Sequence, residues 1–235
     1  PNFQDEWLRA LQPEVWVPKE FEGKPFNIFE TGGTTGMPKQ RIGWNDYKVD
    51  YEEFSETLND DHFPRNDYWL MVGPTGPRRL RLAIEHLANV RGCSCYFIDL
   101  DPRWVKRLIA EKQFDQAKAY MAHVVEQATT IMKHRQVSAL FTTPKLLEAI
   151  AEHLEDEGSS LYEAGIRGVF CGGTTMDPQY TRFLCEELLE NKIGFMPTYG
   201  NTLMGLAKNK PLTSEDKYSI TYYAPQPRAM MRVIN

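Results

Sequence analysis

Residues 31–39 read TGGTTGMPK, glycines and threonines packed together and closed by a proline and a lysine. Glycine adopts backbone dihedrals that other residues avoid, so such a run can turn several N–H groups toward one point. The hydroxyls of Thr31, Thr34 and Thr35 add donors beside Gly32, Gly33 and Gly36, and Lys39 adds a full positive charge. That combination suits the clustered oxygens of a phosphate chain. Two familiar phosphate loops do not match it. The nucleoside-triphosphatase loop needs a glycine directly before its lysine and a Ser or Thr directly after, whereas here Lys39 follows Met37-Pro38 and precedes Gln40. The dinucleotide fingerprint G-x-G-x-x-G is also absent from the segment.

Other chemistry-bearing residue types are less organised. The four cysteines, Cys93, Cys95, Cys171 and Cys185, form no C-x-x-C pair, and no histidines stand at zinc-like spacing near them. They read as reduced, core or near-core thiols of a cytoplasmic protein, with Cys93 and Cys95 on one face of a strand. His86, His123, His134 and His153 fall in expected helices and read as surface residues, as does the acidic series Glu52, Glu53, Glu56, Asp60 and Asp61. Arg78, Arg79 and Arg81 read as the polar side of a helix. With 42% hydrophobic and 25% charged residues and a net charge of −5, the 235-residue chain suits a globular domain with a sizeable core. The acidic balance argues against phosphate-driven nucleic-acid binding. No apolar run reaches membrane-spanning length, and the first residues lack the basic-then-apolar plan of a signal peptide.

Elements able to position the loop alternate along the chain. Short runs rich in β-branched and aromatic residues predict strands over 26–30, 68–73, 93–98, 137–142, 166–171 and 193–197. Amphipathic runs between them predict helices over 45–58, 78–90, from Asp101-Pro102 onward, over 114–135, from Thr143-Pro144 to about 155, and from Asp177-Pro178 to about 189. This order implies an α/β fold, mostly parallel sheets flanked by helices. Residues 1–212 read as the core. Residues 213–235 read as the start of a β-rich subdomain, with KYSITYY and AMMRVIN as strands.

The nine residues from Thr31 to Lys39 satisfy at every position the phosphate loop T-[SG]-G-[ST]-T-G-x-P-K of the adenylate-forming enzymes, which include acyl-CoA synthetases, firefly luciferase and peptide-synthetase adenylation domains. Two further segments resemble that superfamily in its own order: Phe170-Cys171-Gly172-Gly173-Thr174-Thr175, and Thr198-Tyr199-Gly200-Asn201-Thr202, similar to Y-G-x-T-E. The resemblance covers most of the chain from about residue 25 and looks closest to the phenylacetate–CoA ligase-like branch. It implies activation of a carboxylic acid by ATP as an acyl adenylate, with coenzyme A as the usual acyl acceptor and Mg2+ as the usual ion. Residues 31–39 would hold the β- and γ-phosphates, and Thr202, with Lys39 the catalytic pair, the α-phosphate. Gly172, Gly173, Thr174, Tyr199, Gly200 and Asn201 would frame adenine. Phe141, Phe170, Met196 and Met204 would wall an apolar pocket suited to an aromatic acid, with plain core as the competing reading.

The sequence departs from the family at Leu203, where the pattern has a glutamate that helps to hold magnesium. A leucine offers no oxygen to a hard cation. Either another carboxylate or water takes that place, or metal use is weakened, or the protein binds nucleotide without efficient turnover. The family's ribose-gripping aspartate and small domain with a catalytic lysine find no match. The chain therefore resembles the central part of a larger enzyme.

Overall fold

The computed structural model describes residues 7–10, 12–30, 38–45, 47–76, 79–201 and 205–223. A short helix, α1 (Trp7–Ala10), precedes a two-stranded antiparallel sheet of β1 (Asn27–Glu30) and β2 (Gln40–Gly43). Then follow α2 (Tyr47–Ser55), β3 (Tyr68–Gly73), α3 (Arg79–Val90), β4 (Ser94–Asp99), α4 (Pro102–Ala110), α5 (Phe114–His134), β5 (Val137–Thr142), α6 (Pro144–Asp156), β6 (Gly168–Gly172), α7 (Pro178–Phe183), β7 (Gly194–Asn201), β8 (Gly205–Asn209) and β9 (Tyr222–Tyr223). The main sheet has the order β4-β3-β5-β6-β7-β8-β9. Its first five strands run parallel, and β8 and β9 add to it antiparallel.

Successive residues of a strand face opposite sides, and that alternation divides the core. Leu70, Val72, Leu140, Val169 and Cys171 join the residues of α5 and α6 on one side. Trp69, Met71, Ala139, Phe141 and Phe170 join those of α2 and α3 on the other. Both faces are covered, as a parallel sheet requires, which is why β5 and β6 are buried at every position.

The expected strands and helices therefore form, with shifted ends. Asp101 accepts a hydrogen bond from the Arg103 N–H at the start of α4, and Asp177 accepts one from the Tyr180 N–H at α7. Thr143 occupies the cap position of α6 without a side-chain cap bond. After α7 the chain widens into a π-helical turn, Leu184–Leu188. The expected strand KYSITYY shortens to Tyr222–Tyr223, which extends the main sheet through β8; AMMRVIN lies outside the described residues. Sequence periodicity did not single out β2 or β8, both short and rich in polar or small residues.

The arginine reading needs correction. Arg79 is buried, 3.7 Å from the buried Asp50, with its guanidinium over the Tyr47 ring. Arg81 does lie exposed, and Arg78 is outside the described residues. The pairing offsets the cost of desolvating Arg79. The acidic series is exposed as expected, and no group of His, Cys, Asp and Glu able to hold a metal ion exists among the described residues. No helix among them is long and apolar enough to cross a membrane.

All four thiols are free; Cys93, expected in a strand with Cys95, immediately precedes β4. Burial raises every one above the ordinary range, Cys185 to about 11, Cys95 to about 12 and Cys171 further. At pH 8 less than about a thousandth of Cys185 is then thiolate. Titration of the native protein with a thiol reagent at this pH is expected to be slow at all four positions and to become rapid on denaturation.

Candidate functional site

The glycine- and threonine-rich segment connects β1 to β2, so it is the loop of a hairpin. The register pairs Glu30 with Gln40 directly across its base, and Gln40 Nε2 donates to Glu30 Oε1 at 3.1 Å. The second oxygen of Glu30 meets Arg103 Nη2 at 2.8 Å. Arg103 lies in the first turn of α4, just past the end of β4. A half-buried ion pair thus ties the loop base to the edge of the sheet where the parallel strands end. Pro38 and Lys39 are half-buried; Thr31, Gly32, Gly33, Thr34, Thr35 and Gly36 lie outside the described residues.

The other two motifs meet on neighbouring strands at the same edge. Gly172, last in β6, stands opposite Thr198 of β7, and Cys171 stands opposite both Pro197 and Thr142. The hydroxyl of Thr198 donates to the Cys171 carbonyl at 3.3 Å. A Cβ added to Gly172 would lie 2.3 Å from Thr198 Oγ1 and 2.7 Å from the Thr198 carbonyl oxygen, so this position demands glycine. Gly173 follows with a φ of +84°, which turns the chain out of the strand. Gly173 and Thr174 are exposed.

Tyr199 is 51% exposed. It opens a hairpin in which Tyr199 pairs with Ala207, Gly200 with Leu206 and Asn201 with Gly205. Gly205 has a φ of +89°, and a Cβ there would lie 2.2 Å from Asp50 Oδ2. The buried Asp50–Arg79 pair thus lies directly beneath one end of the hairpin. Thr202, Leu203 and Met204, which follow Asn201 in the sequence, are outside the described residues. Ligands of open α/β sheets sit beyond the carboxyl ends of the strands, the edge these motif residues share.

The expected acid-pocket residues come together, but chiefly as core. Phe170 is 0% exposed. Its ring packs against Phe63 at 4.4 Å, Trp69 at 5.3 Å, Phe141 at 5.6 Å and Phe54 at 6.3 Å between centroids. No face of that ring is left for a ligand. Phe141 is also buried, and Met196 is half-buried against the same cluster. The reason is register: all three point to the side of the sheet that α2 and α3 cover.

Two features of this edge went unnoticed in the sequence. Thr142, at the end of β5, is buried and its hydroxyl has no hydrogen-bond partner among the described residues. Such groups are uncommon in cores; its one sequence signal is its place at a strand-to-helix junction. Glu148 in α6 accepts hydrogen bonds from Tyr180 and Lys145. Burial opposes its charge, yet those bonds outweigh burial and hold its carboxyl below the ordinary range.

A cavity of about 480 Å³ lies at the opposite edge, lined by Asp67, Val137, Ser138 and Arg167 where β3, β5 and β6 begin, with Lys133, His134 and Arg135. None of the motif residues borders it.

Gly172→Ala is expected to cost about 1–3 kcal/mol, the range for overpacking a tight site. Denaturant unfolding would measure it, with Gly173→Ser as a companion that meets no close contact but carries the backbone strain of a serine at a φ of +84°.

The chain is similar to several solved structures. An open conformation of 2-hydroxyisobutyryl-CoA ligase in complex with 2-HIB-AMP and CoA matches with a TM-score of 0.52 at 12% identity over 81% of this chain and 36% of that one. The N-terminal domain of FACL13 from Mycobacterium tuberculosis matches with a TM-score of 0.52 at 14% identity, over 81% and 40%. An inhibitor-bound form of that domain gives 0.50 at 15% identity, over 75% and 37%. This chain thus spans between a third and a half of the length of each. No protein-family profile and no curated protein matches the sequence.

Proposed function

We propose that this chain, which has the fold of the N-terminal region of the adenylate-forming ligases, binds ATP and activates a carboxylic acid. The observation that carries the reading is that the described base of the 31–39 segment shares one edge of the sheet with Gly172 and Thr198. The strand residue that precedes this segment, Glu30, is tied there by Arg103, and Gly172 and Thr198 face each other on adjacent strands.

In this reading a carboxylate oxygen attacks the α-phosphorus of ATP and the bond to the β-phosphate bridging oxygen breaks. The acyl adenylate forms and pyrophosphate leaves. A thiol, that of coenzyme A or another acceptor, then attacks the acyl carbon and AMP departs. The protein contributes positioning and charge stabilisation. Lys39 and the backbone of residues 31–36 hold the β- and γ-phosphates, and Thr202 holds the α-phosphate. Gly172, Gly173, Thr174 and Tyr199 frame adenine, flanked by Gly200 and Asn201. With Phe170 and Phe141 in the core, an aromatic acid would meet the half-buried Met196, with Met204 beside it. The helix-rich segment between motifs and the short motifs themselves favour the phenylacetate–CoA ligase-like branch. Leu203 offers no oxygen to a magnesium ion, and no group of three or more His, Cys, Asp and Glu able to hold a metal ion exists among the described residues.

The test is ATP–pyrophosphate exchange with a panel of aryl and aliphatic acids, alongside calorimetric ATP binding. Exchange with one class of acid is the expected result; failure to bind ATP would overturn the reading. Leu203 favours a second reading, a nucleotide-binding protein with weakened catalysis. That reading predicts ATP binding without exchange, and exchange appearing in Leu203→Glu.

A further inference from the structure

We infer that Tyr222 is a positioning residue for nucleotide base recognition, setting the Tyr199 ring against which adenine rests; this deepens the ATP-binding reading and rests on it. Tyr222 belongs to β9, where it pairs with Asn209 of β8, while Tyr199 pairs with Ala207 of the same strand. The two tyrosines therefore flank β8 from either side. Nevertheless their rings meet, with centroids 5.4 Å apart and planes tilted by 40°. Backbones two strands apart are separated by roughly 10 Å, so the rings lean toward each other across β8. Ala207, opposite Tyr199, carries only a methyl group and leaves room for that approach.

The exposures of the pair differ. Tyr199 is 51% exposed and Tyr222 only half-buried against it, whereas the next residue, Tyr223, is 55% exposed on the other face. Tyr222 also lies within electrostatic reach of Cys171, the residue before Gly172. Burial raises its hydroxyl to about 12, with Cys171 and Tyr199 as further causes, so it stays neutral throughout the physiological range. A base sandwiched between two rings needs centroids roughly 7 Å apart; at 5.4 Å no base fits between these two. The base must therefore use the outer face of Tyr199, and Tyr222 holds the inner face. An exposed tyrosine without such a partner would sample several rotamers and lose entropy on binding.

The experiment compares ATP and inorganic tripolyphosphate as calorimetric ligands of the wild type, Tyr222→Ala, Tyr222→Phe and Tyr199→Ala. Tyr222→Ala is expected to weaken ATP about fivefold and to leave tripolyphosphate unchanged, with Tyr222→Phe close to wild type. Equal losses for both ligands in Tyr222→Ala would mean a general structural role and overturn the inference. So would ATP binding that is lost in Tyr199→Ala yet untouched in Tyr222→Ala, which leaves the ATP-binding reading intact. A wild type that binds neither ligand overturns both.

Discussion

Lys39→Ala is expected to weaken ATP binding by roughly 10- to 100-fold, the equivalent of losing one charge-assisted contact of about 1.5–3 kcal/mol. Lys39 adjoins Gln40, whose amide meets Glu30 across the hairpin base, and Glu30 is in turn held by Arg103. The loop's terminal lysine is therefore anchored within one residue of an ion-paired frame. Under the ATP-binding proposal it would meet a phosphate chain with less loss of freedom than a lysine on an untethered loop. Adenosine, which has no phosphate, should bind the variant as it binds the wild type, and stability should change by less than about 1 kcal/mol. Calorimetry with both ligands separates the possibilities. An unaltered ATP affinity would remove Lys39 from the phosphate site, and a parallel loss for adenosine would point to a displaced loop.

The largest effect on stability should come from Phe170→Ala, at about 3–5 kcal/mol. For a chain of this size that corresponds to a fall in Tm of about 10 °C. The ring is completely buried and touches four other aromatic rings. It lies where β6 is flanked by β5 and β7, so neighbours on both sides would lose contacts to the cavity. Phe170→Leu should cost less because it keeps much of the volume. Thermal and urea unfolding would measure both. If the substitution altered acid selectivity with stability unchanged, the ring would belong to a ligand pocket after all.

Much of this fold was legible in the residues. The alternating and continuous apolar runs over 68–73 and 137–142 coincide with β3 and β5. Asp101-Pro102 and Asp177-Pro178 begin helices with the expected side-chain caps. These signals are local: periodicity and capping involve residues within a few positions of each other. The phosphate-loop pattern is local in the same sense. What went unread involves distant partners. Arg79 is solvent-facing by pattern, yet it is buried because Asp50, on a preceding helix, is its counter-charge. Phe170 has the composition of a pocket wall, and strand register put it beneath two helices instead.

The sequence by itself determined the alternation of strands and helices, and it carries the glycine- and threonine-rich motif over 31–39. Only the tertiary structure decided that this loop is a hairpin closed by Glu30 and Gln40, that its base is tied by Arg103 to the carboxyl edge of the sheet, and that Tyr199 finds Tyr222 across β8. The reason is separation along the chain. Short-range preferences select a residue's backbone state, but which side chains share an edge depends on strand order and register. Those are set by burying the two faces of the whole sheet at once.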